Sequence, residues 1–443
     1  MLNIKTQIDD LASRKGFMRY FKNTSWLMGE RILRMAVGLF VGIWVARYLG
    51  PERFGLFSYA QSFVGLFMAI ATLGLDGIVV RELVKDQSKQ DALLGTAFIL
   101  KLIGAFIVLL LLFFTVNIIS TDAQTKLLII VIASATIFQS MNVVDFYFQS
   151  KVLSRYVAFT NTFTLLISSA VKVWLILNGA SLSAFAWVVL FDSVILSLGY
   201  IYFYLKIGNR IKQWSFDKAL AQSLLKDSWP LILSGIVISI YMKIDQVMIK
   251  EMLGAEAVGQ YAAAVRLGEA WYFIPMVIAS SLFPAIIEAK KQSEKLYRER
   301  LQKLYDLMVW IAVAIALPLT ILSDWVVGML YGEQYIQAGS VFMIHIWAGI
   351  FVFLGVASGK WLLVENLQKY AFLRTFVGVV VNIILNIVLI RKFGIEGAAT
   401  ATLVSQIVAA YLYDLFNEKT RCVFYMKTKS VFFINTFWKS RVM

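Results

Sequence analysis

Several basic side chains lie inside long apolar stretches of the sequence, where a charge is costly. A charged residue at the centre of a membrane-spanning helix costs roughly 2.5–3.5 kcal/mol, so it is retained where it reaches water, a partner or an interface. Arginine and lysine bind phosphate through charge-assisted hydrogen bonds. The alternative is internal salt bridges that fix the register of packed helices. The basic candidates for binding an anionic substrate are Arg31, Arg34, Lys172, Lys243 and Arg266.

Depth and spacing group these basic residues into sets. Lys243 and Arg266 lie about eight and nine residues from the external ends of two adjacent stretches, so we expect them at similar depth, where together they could bind an anionic group. Arg31 and Arg34 are three residues apart and share one helix face. Lys172 lies about six residues from the external end of its stretch.

Three acidic residues in the same kind of stretch are candidates for coupling to an ion, either a proton or sodium. Asp192 is near the middle of its stretch and has no basic partner on its own helix. Asp245 follows Tyr241 by about one helical turn. Glu269 follows Arg266 by three residues and could pair with it. A buried carboxylate without a cation can carry a proton, whereas one paired with arginine stays ionised.

The elements that must position these residues are membrane-spanning helices. Apolar residues make up 60% of the 443 residues, aromatic residues 14%, and the mean hydropathy is +0.74. A helix needs about 20 mostly apolar residues to cross a bilayer. Twelve such spans are predicted, at 25–47, 54–80, 95–119, 126–147, 157–178, 183–206, 228–250, 258–288, 304–323, 340–364, 371–390 and 394–417.

The formal charge of +15 follows a membrane pattern rather than a nucleic-acid-binding one. Most of the 42 Lys and Arg residues fall in the N-terminal tail, the even-numbered loops and the C-terminal tail. Cytoplasmic loops are the basic ones, so we expect both termini in the cytoplasm. Contact with anionic lipid headgroups explains much of the remaining charge, and we expect no nucleic-acid partner.

A motif occurs twice: segment 49–60 returns at 253–264 with Leu, Gly, Glu, Gly and Ala at matching positions. The first glycine of each copy permits a tight turn, and the second lets the following helix approach a neighbour closely. The motif glycines are Gly50 with Gly254, and Gly55 with Gly259. Duplication at nearly half the chain length indicates two related halves of six spans each.

The sequence therefore predicts an all-α polytopic membrane protein of about twelve transmembrane helices, in two six-helix pseudo-repeats around a central cavity. The predicted segments are a cytoplasmic N-terminal segment at 1–24, an N-terminal lobe at 25–206, a cytoplasmic linker at 207–227, a C-terminal lobe at 228–417 and a basic cytoplasmic tail at 418–443.

Catalytic signatures are missing from the sequence. His345 is the only histidine and Cys422 the only cysteine, so neither a histidine cluster nor a cysteine-rich metal site is possible. The loops are short, which leaves no inserted aqueous domain. We expect no cofactor, no metal site, no catalytic residues and no enzymatic activity.

The chain resembles the polysaccharide transport family of the multidrug/oligosaccharidyl-lipid/polysaccharide exporter superfamily, which contains the O-antigen flippases. The residues that carry the resemblance are Leu49-Gly50-Pro51-Glu52-x-Phe54-Gly55, Tyr241-x-x-x-Asp245-x-x-Met248-Ile249 and Val258-Gly259-x-Tyr261-x-x-Ala264. It implies alternating-access transfer of an undecaprenyl-diphosphate-linked oligosaccharide, such as an O-antigen repeat unit, from the cytoplasmic to the periplasmic leaflet, coupled to an ion gradient.

The resemblance also implies a location in the bacterial inner membrane. The expected partners are the lipid-linked oligosaccharide, a coupling proton or sodium ion, membrane lipids, and the polysaccharide polymerase with its chain-length machinery. Three other functions stay open: a cation-coupled multidrug exporter of the same superfamily, a membrane-embedded enzyme that processes the glycolipid, and a non-transporting scaffold of a synthesis complex. Basic residues in a lumen argue against the exporter, because a cationic drug prefers an acidic pocket.

Overall fold

A computed structural model describes residues 15–119 and 122–432 of the chain. Parts of two predicted segments, residues 1–14 of the N-terminal segment and 433–443 of the basic tail, lie outside the described residues.

The described residues form fifteen α-helices and no β-strand. The helices are α1 (Lys15–Thr72), α2 (Asp76–Lys85), α3 (Gln90–Ile119), α4 (Ala123–Gln139), α5 (Val143–Ser150), α6 (Ser154–Leu177), α7 (Leu182–Lys206), α8 (Lys218–Leu253), α9 (Ala255–Glu269), α10 (Phe273–Gln292), α11 (Glu294–Ile321), α12 (Ser323–Tyr331), α13 (Gln337–Val364), α14 (Gln368–Ala410) and α15 (Arg421–Val431). Short 3₁₀ turns join several of them.

Ten apolar helical runs in the described part of the chain are long enough to cross a membrane. Two of them, Ser25–Lys85 with 61 residues and Gln368–Phe416 with 49 residues, are far longer than one crossing requires. Each contains a glycine that breaks the helix, Gly50 at φ 75° and Gly394 at φ 60°. Counting each broken run as two crossings gives the predicted twelve, so the predicted all-α membrane fold is confirmed.

The turns predicted for the duplicated motif are confirmed by the backbone. Gly50 has φ 75° and Gly254 has φ 96°, conformations that residues with a Cβ atom rarely adopt. The chain can therefore reverse within one residue between two apolar helices.

The second glycines of the two motif copies lie where the copies pack against each other. A Cβ atom on Gly55 would collide with the backbone carbonyl of Ala255, and one on Gly259 would collide with the backbone carbonyl of Pro51. The predicted close approach at both glycines is confirmed, and the neighbour of each copy is the other copy.

The chain divides into two compact units. The first holds the described residues up to Tyr48 together with Phe63–Ser239, and the second holds Leu49–Ser62 together with the described residues from Ile240 onward. The predicted lobes differ in two places, since Leu49–Ser62 belongs to the second unit and 228–239 to the first. The lobes were defined from the sequence repeat rather than from packing, and they stay a prediction.

Each unit has its own apolar core. In the first, Val79, Leu94 and Phe148 are buried where α2, α3 and α5 meet. In the second, Met308 and Phe353 are buried between α11 and α13. These packed cores hold the helices that carry the polar residues described next.

Candidate functional site

One face of α6 carries polar side chains at helical spacing. Asn161, Thr164, Ser168 and Lys172 follow one another at intervals of three or four residues, so they form a stripe. The stripe lines a cavity of about 310 Å³ in the first unit. The other polar residues that line the cavity are Arg34 from α1, Gln139 and Asn142 from the end of α4 and the turn after it, and Asp192 and Ser193 from α7.

The cavity contains an ion pair between Lys172 and Asp192. Lys172 Nζ donates to Ser168 Oγ at 2.7 Å and lies 3.4 Å from Asp192 Oδ2. Ser168 Oγ donates to the same carboxylate oxygen at 2.8 Å. The basic partner that Asp192 lacks on its own helix therefore comes from α6. Asp192 therefore has a counter-charge within the cavity.

Three buried polar atoms of residues lining this cavity have no hydrogen-bond partner. They are Asn142 Oδ1, Thr164 Oγ1 and Asp192 Oδ1. A buried polar atom without a partner costs free energy, so such atoms are places where a ligand or water gains a hydrogen bond. The cavity can thus accept a polar ligand with hydroxyl donors, such as a sugar.

Arg34 lies on the cavity wall and is bonded to a neighbour on its own helix. Its Nε donates to Glu30 Oε1 at 2.6 Å, and a terminal nitrogen contacts the same oxygen. The Arg34 side chain is 52% exposed, whereas that of Glu30 is 4% exposed. Arg31 is exposed and is not among the residues that line the cavity.

In the second unit, Asp245 is buried among neutral hydrogen-bond donors. Its carboxylate accepts bonds from Asn386 Nδ2 at 2.6 Å, Thr402 Oγ1 at 2.5 Å and the hydroxyl of Tyr261 at 2.8 Å. Only 7% of the residue is exposed. No lysine or arginine in the described part of the chain forms an ion pair with it. A buried carboxylate without a cation is stabilised by binding a proton or a metal cation.

Two asparagines of α14 extend the surroundings of Asp245. Asn386 Nδ2 also donates to Asn382 Oδ1 at 3.1 Å. Asn386 Oδ1 and Asn382 Nδ2 are buried without partners. Carboxylate, amide and hydroxyl oxygens are ligands that hard cations prefer. The cluster of Asp245, Tyr261, Asn382, Asn386 and Thr402 is hereafter called the Asp245 cluster.

The other three predicted site residues also lie in the second unit. The guanidinium carbon of Arg266 lies 5.4 Å from the ring centroid of Phe54. Glu269 is partly buried, and Lys243 and Arg266 act on it electrostatically. A direct Arg266–Glu269 ion pair, which the spacing suggested, is not formed between these two described residues, because the arginine extends over the aromatic ring instead.

Two further polar residues in these helices are not among the predicted site residues. Glu30 lies one turn before Arg34. Arg374 donates from its terminal nitrogens to Ser358 Oγ at 2.8 Å and to the carbonyl of Gly355 at 3.0 Å. The polar stripe of α6 was detectable from its spacing alone, whereas the neighbours of Arg374 were not.

A fully buried lysine marks the docking of α15. Lys427 Nζ donates to Asp414 Oδ2 at 2.7 Å, to the carbonyl of Ala410 at 2.6 Å and to Ser358 Oγ at 3.0 Å. Burial lowers the pKa of Lys427 to about 8. This contact fixes α15, which follows the apolar run Gln368–Phe416, against the second unit.

Comparison with known proteins identifies the family. The family model described as polysaccharide biosynthesis protein matches residues 20–290, more than half of the chain. The MatE family model matches residues 230–388.

Curated relatives extend over most of the chain at low identity. The probable low-salt glycan biosynthesis flippase Agl15 of Haloferax volcanii is 26% identical over 384 residues, which are 84% of this chain and 78% of that protein. A putative O-antigen transporter of Shigella flexneri is 24% identical over 414 residues, which are 89% of this chain and 97% of that protein.

A solved structure shares the fold. An inward-facing multidrug resistance MATE family transporter of the MOP superfamily aligns with a TM-score of 0.73 and 15% identity, covering 90% of this chain and 96% of that chain. Such low identity supports a common fold alone. Together with the family match, it confirms the resemblance seen in the motifs. The chain is a multi-pass membrane protein that belongs to the polysaccharide biosynthesis protein family, within the multidrug/oligosaccharidyl-lipid/polysaccharide exporter superfamily.

Proposed function

We propose that this protein is a flippase that moves an undecaprenyl-diphosphate-linked oligosaccharide from the cytoplasmic to the periplasmic leaflet by alternating access. The observation that carries the proposal is the polar cavity of the first unit, with Arg34 and Lys172 on its wall and three unpartnered buried polar atoms among its lining residues. Cations attract the diphosphate, and the unpartnered atoms suit sugar hydroxyls.

The family and the relatives favour this substrate class. The matched relatives carry names of a glycan biosynthesis flippase and an O-antigen transporter. A diphosphate with attached sugars cannot cross hydrocarbon unaided, because an unpaired charge is strongly disfavoured there. A protein that supplies cations and hydrogen-bonding groups along the path lowers that barrier.

We propose that the Asp245 cluster couples this movement to a proton or sodium gradient. Asp245 is the predicted acid that is buried without a basic partner in the described residues, whereas Asp192 is paired with Lys172. A buried carboxylate without a basic partner is stabilised when it binds a cation and destabilised when the cation leaves. Glu269 is the weaker candidate, because Lys243 and Arg266 both act on it.

A multidrug exporter of the same superfamily is the second candidate, favoured by the match to the MatE family model over 230–388. The lining of the first-unit cavity argues against a cationic drug, since the one acidic residue among its described lining residues, Asp192, is paired with Lys172 and the charge left on the wall is that of Arg34, which repels a cation. An enzyme that processes the glycolipid is less favoured, because the matched relatives have transporter or flippase names.

The proposal is tested in vesicles that contain the purified protein and a fluorescent lipid-diphosphate saccharide. We expect transfer between leaflets, recovery of the saccharide chemically intact, and net uphill transfer only with an ion gradient. Product of altered composition would favour the enzyme, and transport of cationic dyes without transfer of the saccharide would favour the exporter. Uphill transfer in de-energised vesicles would reject ion coupling.

The same assay tests two further predicted binding residues, Lys243 and Arg266. Lys243→Ala and Arg266→Ala are expected to slow transfer if these cations contact the diphosphate. Wild-type rates in both variants would remove them from the mechanism. We infer a location in the cytoplasmic membrane with both termini on the cytoplasmic side; contact with a polymerase and chain-length machinery stays a prediction.

A further inference from the structure

A second cavity of the first unit is a groove between α1 and α6 with a mostly apolar lining. Its volume is about 470 Å³, and its wall includes Trp26, Gly29, Glu30 and Leu33 from α1 with Ala158 and Phe159 from α6. The rings of Trp26 and Phe159 touch, with centroids 5.0 Å apart. These residues recur at helical spacing, so each helix presents one face to the groove.

The groove adjoins the polar cavity along the same two helices. On α1, Glu30 lines the groove and Arg34, one turn later, lines the polar cavity. On α6, Phe159 lines the groove and Asn161 lines the polar cavity. Glu30 and Arg34 are bonded to each other, so their ion pair lies at the boundary between the two linings. The wall therefore changes from apolar to cationic within one helical turn.

Arg34 has bonding capacity left for an anion at this boundary. A guanidinium carries five N–H donors. Glu30 Oε1 accepts a hydrogen bond from Nε and one from a terminal nitrogen, which leaves three N–H donors of Arg34 for another acceptor. The half-exposed guanidinium can thus hold Glu30 and phosphate oxygens together.

We infer that the groove binds the isoprenoid chain of the substrate where the chain joins its diphosphate, while the diphosphate and sugars enter the polar cavity. This inference rests on the proposed function and adds a site for the lipid part. A single apolar chain attached directly to a diphosphate matches an apolar groove that ends at an arginine. In this assignment the groove selects the chain, and Arg34 fixes where the chain ends and the head begins.

Gly29 offers a way to fill the groove without disturbing the fold. A Cβ atom at Gly29 would meet no heavy atom within 4 Å, and the same holds for Gly38, which lies on α1 but does not line the groove. Gly29→Leu therefore places a side chain in the groove. Gly38→Leu adds the same side chain to the same helix outside the groove and is the matched control.

The experiment compares two substrates in reconstituted vesicles: the same diphosphate saccharide on a long polyprenyl chain and on a short, two-isoprene chain. For Gly29→Leu we expect slower transfer of the long-chain substrate, by roughly threefold to tenfold. The added side chain fills part of the groove and removes packing contacts with the isoprenoid chain, and within a bilayer such packing contacts rather than the hydrophobic effect hold apolar groups together. Transfer of the short-chain substrate should stay within about twofold of wild type, the size of effect expected where a substitution and a substrate group do not interact. Gly38→Leu should leave both rates unchanged.

The inference is overturned if Gly29→Leu slows transfer of both substrates equally, or if it slows transfer of neither. A photoreactive isoprenoid diphosphate gives a second readout on the wild-type protein. It should label α1 near Trp26 and α6 near Phe159, and excess polyprenyl-diphosphate saccharide should compete while phospholipid should not. Competition by phospholipid would assign the groove to bilayer lipid and reject the inference. If the wild-type protein transfers neither substrate, the proposed function itself fails and this inference falls with it.

Discussion

Lys172 and Asp192 face each other from neighbouring helices, and the hydroxyl of Ser168 is bonded to both side chains. The pair is partly buried, with side-chain exposures of 27% and 28%. It is both a link between α6 and α7 and a cation on the wall of the polar cavity. These two roles can be separated by exchanging the charges.

Exchanging the two charges should restore stability but not transport. Lys172→Met leaves Asp192 without its cation, so we expect a lower unfolding temperature and a coupling free energy of about 0.5–3 kcal/mol in a double-mutant cycle with Asp192→Asn. The exchange Lys172→Asp with Asp192→Lys should recover most of the stability. It moves the cation to α7, so leaflet transfer should stay slow. Recovery of both properties would reduce the pair to a structural role.

Asp245→Asn should uncouple transfer from the ion gradient. The substitution keeps the size of the side chain but removes the charge that a proton or sodium ion neutralises. We expect downhill transfer to continue and uphill transfer to disappear. Asp306→Asn in the same unit is the control, because Asp306 accepts bonds only from Gln302 and Ser430 in the described structure. An unchanged gradient response in Asp245→Asn would exclude Asp245 as the coupling residue.

Gly55→Ala should destabilise the protein because the two motif copies leave no room for a methyl group. Its Cβ would collide with the backbone carbonyl of Ala255. Overpacking of this kind costs typically about 1–3 kcal/mol. Gly328→Ala is the matched control, since a Cβ on that helical glycine meets no heavy atom within 4 Å. The control should be neutral or slightly stabilising. Equal unfolding temperatures for the two variants would contradict the packing of the motif copies.

The stability contributed by α15 should rise with pH above about 8. Burial lowers the pKa of Lys427 to about 8, whereas an unfolded lysine has a pKa of about 10.4. Between these values the unfolded chain binds more protons than the folded one, so the free energy of unfolding increases as the pH rises. Below about pH 8 both states are protonated and this dependence vanishes. The measurement is the unfolding temperature of wild type minus that of Lys427→Met from pH 7 to 10.5.

If the difference in unfolding temperature between wild type and Lys427→Met does not change across that range, the burial of the Lys427 ammonium group is contradicted. If that difference falls as the pH rises, the pKa of Lys427 is raised, and its ion pair with Asp414 outweighs the effect of burial. Cys422 and the tyrosines titrate in both proteins, so the subtraction removes their contribution.

Features set by local sequence were predictable. Spans follow from runs of apolar residues, and the turns at Gly50 and Gly254 follow from glycine between two such runs. The break at Gly394 has the same origin. The repeat also indicated close packing at Gly55 and Gly259, although not that the two copies contact each other.

Contacts between helices were not predictable from one sequence. Lys172 and Asp192 are 20 residues apart on different helices, and Asp245 and Asn386 are 141 residues apart. Whether the side chains of each pair come into contact depends on how the helices pack, and the spacing of residues along one helix does not determine that packing. The same reason explains why the predicted Arg266–Glu269 pair is absent: spacing allows it, but the ring of Phe54 offers the arginine another partner.

The most direct test of the central claim is the rate at which reconstituted protein transfers a lipid-diphosphate saccharide between leaflets when the cavity cations are neutralised. Arg34→Gln and Lys172→Gln should each slow transfer by about tenfold or more, the loss expected for one charge-assisted hydrogen bond. Lys85→Gln, which removes a side chain that is 75% exposed and lies outside the cavity, should leave the rate unchanged. Wild-type rates in both cavity variants, with the protein folded, would contradict a phosphate-binding role for this cavity.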